Sequence, residues 1–173
     1  GQLATECAGL CKSSRVHPMV FDLDEFLVHP ERMMKKLTPV ITHVDILINN
    51  AGLLINKKFT DTTADDINRL FQINCMAPAQ LIRQLLPLMG KQGPTHVVNI
   101  SSMGGFQGSQ KFPGLSYYSA SKAALACLTE CLSEEFKESR ITFNCLALGS
   151  VQTEMLEEAF PGYKAQVQPE EMA

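Results

Sequence analysis

Several features that assign a protein quickly are missing from these 173 residues. No apolar run approaches the ~20 residues needed to span a bilayer, which argues against a membrane helix. The opening Gly1-Gln2-Leu3-Ala4-Thr5-Glu6 has no basic stretch followed by an apolar one, so it does not read as a secretory leader. There is no long block of like charge, and the net charge is −3. Neither a nucleic-acid partner nor an anionic membrane is expected from that balance. The six cysteines (Cys7, Cys11, Cys75, Cys127, Cys131 and Cys145) include no Cys-x-x-Cys pair. No His/Cys group has zinc spacing, so no metal site is expected. Buried, reduced thiols in a cytoplasmic protein are the expectation rather than disulfides. Internal repeats and low-complexity segments are also lacking.

What is present is an alternation of short β-branched runs with longer helical patterns. Val16 to Phe21 is a short apolar run, read as a first strand although His17 and Pro18 interrupt it. Strands are expected at Asp45–Asn49, His96–Ile100 and Ile141–Leu146. Their apolar residues are consecutive rather than alternating, as in parallel strands covered on both faces. Helices are expected over Glu31–Ile41, Ala64–Met89 and Tyr117–Lys137, the second capped by Thr63 with Asp65 and Asp66 in its first turn. This order predicts one α/β domain with a doubly wound parallel sheet. Ligands in such sheets bind beyond the carboxyl ends of the strands. Small, polar or glycine residues stand there: Asp22-Leu23, Asn50-Ala51-Gly52, Ser101-Ser102 and Ala147-Leu148-Gly149. The glycine-rich turn that opens a dinucleotide fold is not seen; Gly1 and Gly9 do not supply it, and Gly9 falls at an expected helix end.

Tyr118-Ser119-Ala120-Ser121-Lys122 is the most informative segment. Positions i and i+4 share a helix face, so the phenol and the ammonium are neighbours. A cation held close favours the phenolate and would lower the tyrosine pKa from its usual ~10. Tyr118 could then act as general acid or base near neutral pH. An exposed helix face is the plainer alternative for such a pair. Tyr117 is five residues from Lys122 and points elsewhere. Asn99-Ile100-Ser101-Ser102-Met103-Gly104-Gly105 sets a hydroxyl at the sheet's rim, where Ser102 could steady a substrate oxygen. A turn or cap role is the alternative there. Asn74 would normally offer its carbonyl to residue 78, but Pro78 has no N–H. A kink with a free carbonyl able to anchor a water is expected, with a simple structural kink as the alternative.

Taken in order, Asn49-Asn50-Ala51-Gly52, Asn74, Ile100-Ser101-Ser102, Tyr118 to Lys122, and Asn144 to Met155 resemble the short-chain dehydrogenase/reductase family. The resemblance covers essentially the whole chain. It implies a Rossmann-like fold, incomplete at both ends, forming a single partial catalytic domain over residues 1–173. The first strand, the glycine-rich turn and the second strand would precede residue 1. The last helix and strand would follow Ala173, with Pro169 to Ala173 as the start of that helix.

The resemblance also implies roles. Ser102, Tyr118, Lys122 and Asn74 look catalytic, with an Asn74-anchored water reloading Tyr118 through Lys122. Tyr118 and Lys122 would also touch an NAD(P) cofactor, Lys122 at the ribose hydroxyls. Asp22 and Leu23 resemble the pair at the adenine, and Asn50, Ala51 and Gly52 the turn beside its ribose. Val151 and Thr153 resemble contacts to the carboxamide, and Gly149 belongs to the same set. Each has a plainer alternative: Asp22 and Thr153 as helix caps, which is preferred when they are taken alone, and Asn50 as a turn former. The implied function is hydride transfer between a nicotinamide cofactor, NAD or NADP undecided, and a ketone or secondary alcohol. Many look-alikes act on 3-oxoacyl thioesters. A catalytically silent binding or regulatory protein, and a lyase or epimerase on the same scaffold, remain open. A homodimer or homotetramer is implied, with Ala120, Ala124, Cys127, Leu128, Cys131 and Leu132 as a helix-packing face; core burial is the alternative for each residue. The chain departs from the family where Leu148 replaces the usual proline before Gly149. The stretch from Met103 to Tyr118 is longer than usual, so Phe106, Gln107, Phe112 and Leu115 would shape a substrate pocket, or form a variable loop.

Overall fold

A computed structural model describes residues 16–172. Cys7, Cys11 and the helix end expected at Gly9 lie outside the described residues. Three parallel strands, β1 (Ile46–Asn49), β2 (Thr95–Ser102) and β3 (Ile141–Leu148), form a sheet in the order β1-β2-β3. In the register, Leu47 lies beside Val97 and Val97 beside Phe143. These residues share one face because side chains alternate along a strand. That face carries the core. Val97 and Phe143 pack with Ile82, Leu85 and Met89, and Leu47, Met34, Leu132 and Phe136 close over them.

The helices before β3 are α1 (Leu23–Val28), α2 (Pro30–Leu37), α3 (Ala64–Phe71), α4 (Ala77–Leu85) and α5 (Ser116–Glu135), of which α2, α4 and α5 supply this cover. Two short helices follow β3: α6 (Glu154–Ala159) and α7 (Pro169–Met172). The opposite sheet face is open among the described residues: Ile46 is 63% exposed, Ile48 59%, and Leu146 is exposed too. The expectation of strands covered on both faces is therefore corrected for this row.

Four further expectations shift. Val16 to Phe21 forms no strand. A strand exists through its pairing, and Pro18 withholds an N–H. The helix expected to reach Ile41 ends at Leu37, followed by a turn in which Val40 and Ile41 both donate to the Leu37 carbonyl. The helix expected over Ala64–Met89 is interrupted: residues Gln72–Met76 form a π-helical turn and Leu86–Leu88 a 3-10 turn. Cys127 and Cys131, expected inside, are exposed on α5, while Cys75 and Cys145 are half-buried.

A seam of buried amides and a hydroxyl crosses the core face. Asn49 Nδ2 donates to Asn99 Oδ1 at 2.7 Å. Asn99 Nδ2 donates to Thr129 Oγ1 at 2.8 Å, and that hydroxyl donates to the Leu125 carbonyl at 2.7 Å. Every buried polar group must find a mate or pay its desolvation, and here each does.

Candidate active site

The site is built where β1 and β2 end and α5 begins. Gly105, in the 3-10 turn Met103–Gly105 after β2, lets that turn press on α5. A Cβ added at Gly105 would sit 2.7 Å from the Ala123 nitrogen and 2.8 Å from the Lys122 carbonyl carbon. The contact is backbone on backbone, so no side chain fits. Ser101 Oγ adds a bond to the Lys122 carbonyl at 2.9 Å. The helix carrying Tyr118 and Lys122 is thus fastened to the strand carrying Ser102.

Lys122 is buried, 4% exposed, and its Nζ donates to the Ile100 carbonyl at 2.8 Å. Burial pushes its ammonium down from its ordinary value, with Cys145 acting in the opposite sense. A Cβ added at Gly52 would lie 3.2 Å from Lys122 Nζ and 3.3 Å from Asn74 Oδ1. The turn after β1 therefore lies directly against the lysine and the asparagine. Ser102 ends β2, and its Oγ accepts from the Gly104 N–H at 3.1 Å. Burial pushes the Tyr118 phenol above its ordinary value, and the Ser102 hydroxyl opposes that rise by hydrogen bonding. This corrects the expectation that Lys122 acidifies the phenol: the ammonium is turned to Ile100, and desolvation dominates.

Asn74 is completely buried in the π-helical turn, where the Ala77 N–H reaches the Gln72 carbonyl. Its side chain accepts from the Leu53 N–H at 2.8 Å and donates to the Leu53 carbonyl at 2.8 Å. It also donates to Ser121 Oγ at 2.9 Å, which in turn donates to the Tyr118 carbonyl. Asn74 thus ties the β1 turn to the tyrosine helix. Sequence reasoning had looked only to its backbone carbonyl and missed these side-chain bonds. Ser121, next to Lys122 within the Tyr118–Lys122 segment, was given no role of its own; its place between Tyr118 and Lys122 on one helix was the available signal.

Not every expected contact converges. Asp22 caps α1, accepting from the Asp24 N–H at 2.8 Å, and Thr153 caps α6, accepting from the Leu156 N–H at 3.3 Å. Both serve as the caps that were the plainer alternatives; Leu23 is the first residue of α1. Asn50 and Ala51 are exposed after β1, and a Cβ at Gly149 would meet open space. Val151 pairs with Val167 in an isolated bridge. Tyr117 stacks on Phe59 with centroids 5.4 Å apart, away from Lys122 as expected. A recess of about 510 Å³ lies beside α5, lined by Gln107, Phe112, Leu115, Ser119, Ala120 and Ala123 among others. Neither Ser102 nor Tyr118 lines it, so three of the four loop residues expected at the substrate pocket border another face of the helix. Phe106 is exposed.

Among the described residues no helix is long and apolar enough to cross a membrane. The mouse protein "Dehydrogenase/reductase SDR family member 7B" is 32% identical over 157 residues, covering 89% of this chain and 47% of that protein. "Ketoacyl reductase HetN" of Nostoc is 34% identical over 119 residues, 69% of this chain and 40% of that one. A solved short-chain dehydrogenase from Streptomyces avermitilis is 31% identical with a TM-score of 0.67, over 89% of this chain and 55% of its own. A chain from Beutenbergia cavernae solved with NADP at low occupancy is 28% identical with a TM-score of 0.78, over 91% and 60%. The present chain spans about half the length of the mouse relative. The Rossmann-like α/β fold with a parallel sheet is shared with these structures. The family model described as short chain dehydrogenase matches residues 1–164, and with the rim of β1 and β2 arranged as above, this chain belongs to that family.

Proposed function

We propose that the protein containing this chain is an NAD(P)-dependent oxidoreductase acting on a ketone or secondary alcohol. The observation that supports the reading is the Gly52 turn lying directly against Lys122 Nζ and Asn74 Oδ1 at the strand ends, with Ser102 closing β2 and Tyr118 one helical turn before Lys122. The residues fit a nicotinamide nucleotide. Gly52 leaves room a side chain would take, and Lys122 Nζ spends one of its donors on Ile100, which leaves others for ribose hydroxyls. A bound nicotinamide would supply or accept the hydride.

The protein's own residues handle the rest. Burial keeps the Tyr118 phenol protonated near neutral pH, the form that gives a proton to a carbonyl oxygen. Ser102 faces the same point and donates to that oxygen as charge develops. Asn74 keeps the Gly52 turn and the Tyr118 helix in register through Leu53 and Ser121. The choice of cofactor falls between NAD and NADP, since NADP accompanies the Beutenbergia neighbour. Asn50, Ala51, Gly149, Val151 and Thr153 are proposed to border the nucleotide, and Asp22 and Leu23 its adenine end. Assembly as a dimer or tetramer through α5 belongs to the same reading.

The test uses the full-length protein with 4-deuterated NADH or NADPH and a panel of ketones, including an acetoacetyl thioester. Deuterium should appear at the carbinol carbon. Tyr118→Phe should lower turnover by about 10²–10⁴ while retaining nucleotide binding. Full-speed reduction by Tyr118→Phe, or isomerised product without net redox change, would defeat the proposal.

A further inference from the structure

The loop after β2 holds a cation with no carboxylate partner. Lys111 Nζ donates to the Gly104 carbonyl at 2.8 Å, to the Phe106 carbonyl at 2.6 Å and to Ser109 Oγ at 2.9 Å. The Ser109 hydroxyl reaches both the Met103 and Phe106 carbonyls. Phe106 O already accepts from Lys111 and from the Ser109 N–H, whereas Met103 O otherwise accepts only from the Phe106 N–H. The hydroxyl proton therefore points to Met103.

The Met103 carbonyl and the Gly104 N–H belong to one planar peptide group. That N–H donates to Ser102 Oγ at 3.1 Å. The links form one directed chain: Lys111 ammonium, Ser109 hydroxyl, Met103–Gly104 peptide, Ser102 hydroxyl. Hydrogen bonds in series polarise one another, and a charge at the head strengthens each step. An oxygen that accepts a stronger bond becomes a better donor through its own hydrogen.

We infer that Lys111 and Ser109 are positioning residues that strengthen Ser102 as a hydrogen-bond donor toward Tyr118 and the reacting oxygen. The inference deepens the proposed function and rests on Ser102 and Tyr118 being its working pair. Around Tyr118, in the first turn of α5, stand Ser102 at the end of β2 and the groups of its own helix. Lys122 lies one turn along its own helix with Nζ on the Ile100 carbonyl, and Cys145 of β3 lies behind Lys122. Among the described residues no carboxylate hydrogen-bonds or ion-pairs with any of these groups or with Lys111.

The experiment is an alkaline titration of tyrosinate absorbance in the full-length protein, with the Tyr118→Phe protein subtracted to isolate Tyr118. It needs no turnover, so it stands apart from the test of the enzyme activity. Lys111→Met should raise the Tyr118 midpoint, because a weaker Ser102 donor supports the phenolate less. Ser109→Ala should raise it too, and the double variant should go no further than the larger single effect, as links of one chain are not additive. Lys111→Arg, which keeps its charge through the alkaline range where an ordinary lysine loses it, should leave the midpoint at or below the original. A merely structural role predicts the opposite sign: a loosened loop admits water to Tyr118 and lowers its midpoint toward the ordinary value. An unchanged or lowered midpoint in both Lys111→Met and Ser109→Ala overturns the inference, even if deuteride transfer to ketones is found intact.

Discussion

At Tyr118 two influences compete, and their sizes set the pH behaviour of the site. Burial raises the phenol above 10.0, and the Ser102 hydroxyl pulls it back in part. Wild type should therefore titrate above the free value at this residue, and Ser102→Ala should move it higher still, read by ultraviolet titration. A fall in Ser102→Ala would show that the hydroxyl does not face the phenol. The stability consequence follows the same sign. Between the unfolded and the folded pKa, the folded chain holds a proton that the unfolded chain has lost, so stability falls as pH rises through that alkaline window. Gly105 is the other position where one atom decides. Gly105→Ala forces a methyl into the backbone of α5, and overpacking of this kind costs about 1–3 kcal/mol. A lowered urea midpoint would report it. Helical spacing set Tyr118 and Lys122 on one face and the strand end set Ser102 at the sheet's rim, while their roles came from the family resemblance. The direction of the Tyr118 shift was not, because it depends on how much water the folded chain removes and on Lys122 finding the Ile100 carbonyl, a strand atom that no helical spacing reveals.

The segment from Thr63 to Met89 shows what local chemistry fixes within an element. Thr63 caps α3: its hydroxyl accepts from the Asp66 N–H at 3.1 Å, and Asp66 Oδ2 accepts from the Thr63 N–H at 3.0 Å. Thr63→Ala should cost about 1 kcal/mol, measured by thermal or urea unfolding. The Lys57 ammonium, then the Thr63 N–H and hydroxyl, hold the Asp66 carboxyl down to about 2. A depressed carboxylate stabilises the fold above its unfolded pKa near 3.8 and loses that contribution as pH falls toward 2. Acid unfolding curves of wild type and Asp66→Asn should accordingly converge as pH drops through that window. The cap was plain in the sequence, since Thr and Asp three apart before an apolar pattern carry a known chemistry. The π-helical turn was not. Pro78 announced a break in the ladder, but whether it becomes a kink or a wider turn depends on Asn74 reaching Leu53 and Ser121. Asn74→Leu should destabilise the chain by roughly 3 kcal/mol, because the Leu53 N–H and carbonyl are left without their partner.

On the scale of the whole molecule, the exposed row of Ile46, Ile48 and Leu146 sets the behaviour of the 173-residue chain in isolation. Exposed isoleucines on β1, whose outer edge is unpaired among the described residues, with Leu146 exposed across β2, favour self-association. Light scattering should show concentration-dependent growth, and Ile46→Thr with Ile48→Thr should suppress it; equal association by both would assign it to another surface. The parallel α/β order was readable from periodicity. Which sheet face stays open was not, because consecutive apolar residues look alike whether or not a layer lies over them. The Asn49–Asn99–Thr129 seam adds a different kind of order. Apolar strands can slide by two residues and still keep their oily side inward. Such a slide would move Asn49 away from Asn99 and strand amide atoms in the dry interior at about 1–3 kcal/mol each. The three side chains work as a tally stick whose notches agree in one alignment alone, so a slipped sheet is disfavoured and the crevice above it rests on a single register.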